Sequence, residues 1–95
     1  MKHYVYILLL SNQHLYTGFT GDLKRRLTEH EAGNVESTRH RRPVELIHYE
    51  VYKMESDDRR REGFLKTTEG KRLLRQQIRD LLVQKQVLDA PCCDG

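Results

Sequence analysis

Two phenols, a guanidinium and an imidazole stand at spacings that could bring them together. Tyr6 lies within YVYILLL and Tyr16 within LYTGFT, with the polar triplet Ser11-Asn12-Gln13 between the two stretches; Arg26 and His30 follow in DLKRRLTEH. Side chains of these types can hold an anion and move a proton. A guanidinium stays charged and matches the oxygens of an oxyanion two at a time. A phenol titrates near pH ~10, so it is a poor base at neutrality unless neighbouring cations lower its pKa. An imidazole in the same place could orient a phenol, contact an anion or share the base role. Each residue also has a plainer reading: two core aromatics with satisfied hydroxyls, a salt-bridged helix arginine, and a buried, hydrogen-bonded histidine.

The local pattern shows how such residues would be positioned. Residues 3–10 are apolar on both parities, which predicts a strand buried on both faces. Residues 14–18 form a shorter strand ending at Gly18. A three-residue loop pairs Leu10 with His14 and sets Tyr6 opposite Gly18, with Tyr16 as a diagonal neighbour on the same face. A two-residue loop would send the phenols to opposite faces. Gly21-Asp22 opens a helix to about residue 32, capped by Thr20 or Asp22 and ended by Gly33-Asn34. Leu23 and Leu27 mark its buried side. Arg26 and His30 share that stripe, whereas Arg25 points away.

Residues 34–43 read as a polar, basic loop closed by Pro43, and residues 44–52 as a third strand. Ser56 is the expected cap of a helix to residue 66, with Asp57 and Asp58 in its first turn. Thr67 to Gly70 reads as a break. A last amphipathic helix spans 71–87, with Leu74, Ile78, Leu81 and Leu82 on one face. The fold class expected is α/β (α+β): a small central three-stranded antiparallel sheet flanked by three helices. Residues 1–88 would form the domain and 89–95 a flexible tail.

The chain has 95 residues, enough for one modest core. The formal net charge is only +3, so distribution matters more than total. Basic residues cluster at Lys24-Arg25-Arg26, from Arg39 to Arg42, and at Arg59-Arg60-Arg61, as a polyanion partner would require, although solvated faces explain any one cluster equally well. Cys92 and Cys93 are adjacent, a strained arrangement for a disulfide and a poor start for a metal site. Without spaced cysteines nothing points to secretion, and the apolar run 5–10 is too short to cross a membrane. A cytoplasmic protein is expected.

The two tripeptides Tyr4-Val5-Tyr6 and Tyr16-Thr17-Gly18 resemble the signatures that name the GIY-YIG endonuclease superfamily. The resemblance continues in order through DLKRRLTEH, RRPVEL and RRREGFLKTTEGKRLLR, covering roughly residues 3–75. It is greatest to small standalone members related to the incision domain of bacterial nucleotide excision repair. There are departures. Tyr4 and Val5 replace the glycine and isoleucine of the first signature, and Thr17 the isoleucine of the second. Asp58 stands where a small apolar residue is more usual. The late asparagine of many relatives is missing, since Asn12 and Asn34 both come early.

The resemblance implies a metal-dependent endonuclease that hydrolyses phosphodiester bonds in DNA, with RNA not excluded, and that works in repair or recombination. It makes Tyr6, Tyr16, Arg26, His30 and Glu62 the catalytic set. One tyrosine acts as base, directly or through water, with no choice made between the two. Arg26 is the clamp on the scissile phosphate. Glu62 is the ligand of one divalent cation, Mg²⁺ or Mn²⁺; a hard oxygen donor suits such an ion, which keeps most of its waters. Glu62 could instead be a charge partner of Arg59 or Lys66. Arg25, Thr38, Arg39, Arg41, Arg42 and Lys66 are secondary candidates for phosphate contact, which positions a duplex without reading its sequence. A domain of this size is expected to recognise backbone or structure rather than sequence. The competing reading is a binding module that keeps the fold without catalysis.

Overall fold

A computed structural model describes residues 2–87. Three strands, β1 (His3–Leu9), β2 (Leu15–Thr20) and β3 (Glu45–Tyr52), form an antiparallel sheet in the order β2-β1-β3. Helix α1 (Leu23–Glu31) follows the hairpin, and a 3₁₀ turn (Arg39–Arg41) leads into β3. Helices α2 (Glu55–Leu65), α3 (Thr68–Gln77) and α4 (Arg79–Gln84) complete the described residues. Among these no helix is long and apolar enough to cross a membrane. The expected tail and the cysteine pair lie outside the described residues.

Strand β1 is central and is buried from Val5 to Leu10, as its two-sided apolar pattern requires. One face carries Val5, Ile7 and Leu9, which with Leu15 pack against Leu65, Leu74, Ile78 and Leu82 of the last three helices. The other face carries Tyr6, Leu8 and Leu10, packed against Tyr16, Leu23, Leu27 and Leu46. The hairpin loop is the three-residue one. The Leu10 N–H donates to the His14 carbonyl at 2.9 Å, and Tyr6 pairs with Gly18. On the β3 side a bulge between Ile7 and Leu8 steps over Ile47, so Leu46 joins the Tyr6 face while Ile47 packs on the other.

The helices depart from expectation in three ways. First, α2 begins two residues early. Met54 is its N-cap, and Ser56 lies inside a first turn that holds Glu55, Asp57 and Asp58. Carboxylates there complement the helix dipole. Second, Thr67-Thr68-Glu69-Gly70 starts a helix rather than breaking one. The Thr67 hydroxyl accepts from the Gly70 N–H at 3.0 Å and caps α3. A Cβ on Gly70 would stand 1.9 Å from the Phe64 carbonyl oxygen, so glycine here permits a close helix corner rather than a loop. Third, the expected last helix is two. Ile78 leaves helical geometry at φ −111°, ψ 31°, and α4 restarts beyond it. Leu74, Ile78 and Leu82 are all buried across the kink. The described residues therefore hold four α-helices, not three.

Helix α2 is tied to the sheet by ions. Arg61 donates from Nε and one Nη to the two oxygens of Glu50 on β3, at 2.9 and 3.1 Å; Tyr52 Oη donates to the same carboxylate at 2.8 Å. Arg59 pairs with Glu55 and Arg60 with Asp57, each at 2.9 Å. The expected basic cluster at residues 59–61 is thus matched by acids, two on α2 itself one turn away and one on β3.

Asp58 is 1% exposed, and neither carboxylate oxygen has a hydrogen-bond partner among the described residues. Burial pushes its carboxyl pKa up from the ordinary 3.8. The folded chain therefore holds this proton more tightly than the unfolded chain. The stability linked to it is full below pH ~3.8 and is lost as pH rises through the raised value. Asp58→Ala is expected to raise stability at pH 7 by roughly 1–3 kcal/mol, the cost of an unsatisfied buried polar group. The part of that gain that comes from the buried charge should disappear by pH ~3, where the carboxyl is largely protonated in both states. Glu50 has the opposite sign. Despite partial burial, Arg61, His48 and Tyr52 hold its carboxyl down at about 2, against an ordinary 4.5, so its contribution is lost as pH falls through that range. Urea unfolding of parent and Asp58→Ala at the two pH values checks this; equal stability at pH 7 would refute it.

Candidate active site

Register and helical pitch bring the first four candidates to one place. Tyr6 projects from the middle of β1, and α1 crosses the same face. Asp22 caps α1, its carboxylate accepting from the Arg25 N–H at 3.1 Å. From that start Leu23, Arg26, Leu27 and His30 turn inward, while Arg25 remains exposed, as the stripe predicts. Tyr6 Oη is 2.9 Å from His30 Nε2, and Arg26 Nε donates to the same phenol oxygen at 3.4 Å. The Tyr16 ring lies 5.4 Å from the imidazole and 6.4 Å from the Tyr6 ring, centroid to centroid. Both phenols share one face.

Gly18 makes room for this arrangement. A Cβ at that position would lie 2.5 Å from both Cζ and Oη of Tyr6. The glycine of the second tripeptide is therefore the residue over which the phenol of the first one lies. The sequence held the signal, since the three-residue loop already sets Tyr6 opposite Gly18.

His30 is fully buried, and its Nδ1 lies 2.7 Å from Thr38 Oγ1. Thr38 is itself fully buried. It stands behind the imidazole, so the expectation of a phosphate contact is corrected: enclosed this way, Thr38 orients His30. The charge state follows from burial. Desolvation, then the positive charge of Arg26, lowers His30 to about 4 from 6.5, so it is neutral at physiological pH. With Arg26 donating to the phenol oxygen, the simplest satisfied arrangement has Tyr6 O–H donating to Nε2 and Nδ1–H donating to Thr38. Burial also raises the Tyr6 pKa, against a smaller lowering by its hydrogen bond from Arg26. In this state Tyr6 is a proton donor. Tyr16 is only partly buried.

Arg26 has a second contact, an ion pair with Glu29 at 3.0 Å, and its side chain remains about a third exposed at 37%. A guanidinium with one edge on a phenol and one on an exposed acid can exchange the acid for a phosphate oxygen.

Glu62 does not join this cluster. It stands on α2, the helix whose Leu65 packs on the opposite sheet face, and α2 also lies against the edge strand β2. Its carboxylate pairs with Lys66 Nζ at 2.7 Å. Glu62 is one turn beyond Asp58 and only 15% exposed, so it lies on the inner stripe of the helix. Among the described residues no group of three or more His, Cys, Asp or Glu side chains could hold a metal. A single carboxylate with water and substrate oxygens is nevertheless an adequate Mg²⁺ site. Lys66 is a flexible, 41% exposed partner that can yield the carboxylate.

The basic loop is partly used within the fold. Arg42 donates to the Arg39 and Glu31 carbonyls at 3.1 Å each, the second at the C-terminal end of α1. Arg41 donates to the Ser37 carbonyl at 2.6 Å. Arg39 lies exposed, with Nε donating to His40. Arg25 is 73% exposed, with Glu29 at 4.0 Å.

Residues 2–75 match the family model of the GIY-YIG catalytic domain. A UPF0213 protein of Haloquadratum walsbyi is 43% identical over 82 residues, which cover 83% of this chain and 92% of that protein. A UPF0213 protein of Natronomonas pharaonis is 44% identical over 66 residues, 68% of this chain and 78% of its own length. Among solved structures, the solution NMR structure of a UPF0213 protein from Bacillus halodurans shares 32% identity over 90% of this chain and 86% of that chain, with a TM-score of 0.48.

Proposed function

The chain belongs to the GIY-YIG nuclease family, whose catalytic-domain model spans residues 2–75, and from that membership we propose that it is a metal-dependent endonuclease that cuts phosphodiester bonds in DNA by backbone or structure rather than by sequence. The observation that carries the reading is the hydrogen-bonded chain Arg26–Tyr6–His30–Thr38 beside Tyr16. It offers a partly exposed, fixed cation backed by a buried, oriented proton path.

Arg26 takes a non-bridging oxygen of the scissile phosphate in place of Glu29 and offsets the charge that develops there. Tyr16 is the better base of the two phenols. Tyr6 has a raised pKa and a proton already committed to His30, whereas Tyr16 is reachable by water. Tyr6 positions, with neutral His30 fixing its hydroxyl and Thr38 fixing His30. Glu62 is the residue that would hold Mg²⁺ or Mn²⁺, and the ion would supply Lewis-acid stabilisation of the leaving oxygen. Arg25, Arg39, Arg41, Arg42 and Lys66 supply phosphate contacts, and the protein's setting is DNA repair or recombination in the cytoplasm. Supercoiled plasmid should be nicked with Mg²⁺ or Mn²⁺ and left intact in EDTA. A gel shift without nicking under either ion would replace the enzyme by a non-catalytic binding module.

A further inference from the structure

The sheet face that bears Tyr6 carries a second feature that the proposed chemistry does not use. Tyr49 is the β3 residue paired with Tyr6, so their side chains are neighbours on one face. Yet Tyr49 is 51% exposed. Its ring lies 6.2 Å from that of Tyr4, tilted by 56°. The two rings line a cleft of about 530 Å³ whose other walls include Leu46 of β3 and Leu23, Lys24 and Leu27 of α1. Leu23, Leu27 and Leu46 also pack on the Tyr6 cluster. The cleft therefore adjoins the candidate active site, the two sharing three side chains as a wall.

An open aromatic pair over an aliphatic floor, with an exposed lysine at the mouth, suits a flat heteroaromatic ring joined to a phosphate. Asp22 also lines the cleft, but its carboxylate is engaged in capping α1. We propose that this cleft receives one unstacked nucleobase of a DNA strand, the base adjoining the scissile phosphate. The inference rests on the nuclease reading for what brings the strand to this face. It deepens that reading by giving the structural preference a cause. A base can enter only where the strand is single or splayed, so such strands bind better than closed duplex.

The test is direct binding in EDTA to a single-stranded oligodeoxynucleotide carrying 2-aminopurine, read by quenching of that base. Tyr49→Ala is expected to lose most of the quenching and roughly tenfold in affinity, within the range of one base–aromatic stack. Tyr49→Phe keeps the ring and should retain both. Binding to closed duplex should change by less than about twofold in either variant, since it depends on phosphate contacts. Lys24→Gln, on the exposed side of α1, should reduce the slope of log affinity against log salt by about one. Equal quenching and affinity in parent and Tyr49→Ala, or a parent that does not bind the oligonucleotide, overturns the proposal. Failure of the nuclease reading looks different: the parent binds and quenches but never nicks with a divalent ion.

Discussion

Glu62→Gln is expected to nick supercoiled plasmid about a hundredfold or more slowly than the parent while holding the same DNA in EDTA with nearly unchanged affinity. Removing an electrostatic stabiliser of a developing oxyanion typically costs about 10²–10³ in rate. The amide is nearly isosteric, but it is a neutral and much weaker ligand for a hard cation. Glu62 stands on α2, a different helix from Arg26 and His30, and pairs there with Lys66, so its loss should leave the phenols and Arg26 in place. The parent pair of Glu62 with Lys66 is partly exposed, and such pairs contribute little to stability, so melting should barely move. The substitution also releases Lys66, which should make low-salt DNA binding equal to the parent's or slightly tighter. Nicking rates across Mg²⁺ concentrations, with binding measured in EDTA, separate the two effects. A folded variant that nicks at the parent rate would remove Glu62 from the mechanism.

Arg26→Ala should lose as much rate and, unlike Glu62→Gln, some binding as well. The guanidinium touches the phenol oxygen of Tyr6 and is the inward-facing cation of α1. Its phosphate contact would already exist in the ground state and would strengthen as charge develops, so both binding and rate fall. A drop of about 10²–10³ in single-turnover rate, with a few-fold weaker binding, is the expected size. Arg26→Lys should recover binding better than rate, because an ammonium restores charge but not the two-pronged geometry. Stability should change little, since the Arg26–Glu29 pair is about a third exposed and of the i,i+3 kind. The Arg26 charge also helps hold His30 neutral, so its removal should let the His30 pKa rise, which histidine NMR titration of the variant can read. A variant that nicks within about twofold of the parent would remove Arg26 from transition-state stabilisation.

Much of this architecture followed from local pattern. The two-sided apolar run of β1, the three-residue loop and the 3.6-residue stripe of α1 depend on chain geometry within about ten residues, and together they put Tyr6, Tyr16, Arg26 and His30 on one face. The choice of Arg26 over Arg25 came from helical pitch alone. The late helices were less legible. Gly70 looks like a breaker in a sequence, and only the approach of the Phe64 carbonyl shows it to be the small residue of a helix corner. The kink at Ile78 is not legible in the segment either, because Leu74, Ile78 and Leu82 keep the four-residue spacing of one continuous helix.

The sequence by itself determined the three strands and the first helix, the common face of the two phenols and the family. Those are set by periodicity, turn length and motif order, all short-range along the chain. Tertiary structure alone decided what each group is next to and therefore what it can do. Thr38 is eight residues from His30 and reads as a loop threonine until packing encloses both and makes it the imidazole's partner. Tyr6 and Tyr16 are equivalent as phenols until burial raises the pKa of one and leaves the other reachable. Arg59, Arg60 and Arg61 are a basic run until α2 and β3 set an acid beside each. Asp58 reads as a first-turn acid until the fold closes over it. Desolvation and charge pairing are the reason, because both depend on which atoms approach from distant parts of the chain, and neither is encoded in a residue's own type or spacing.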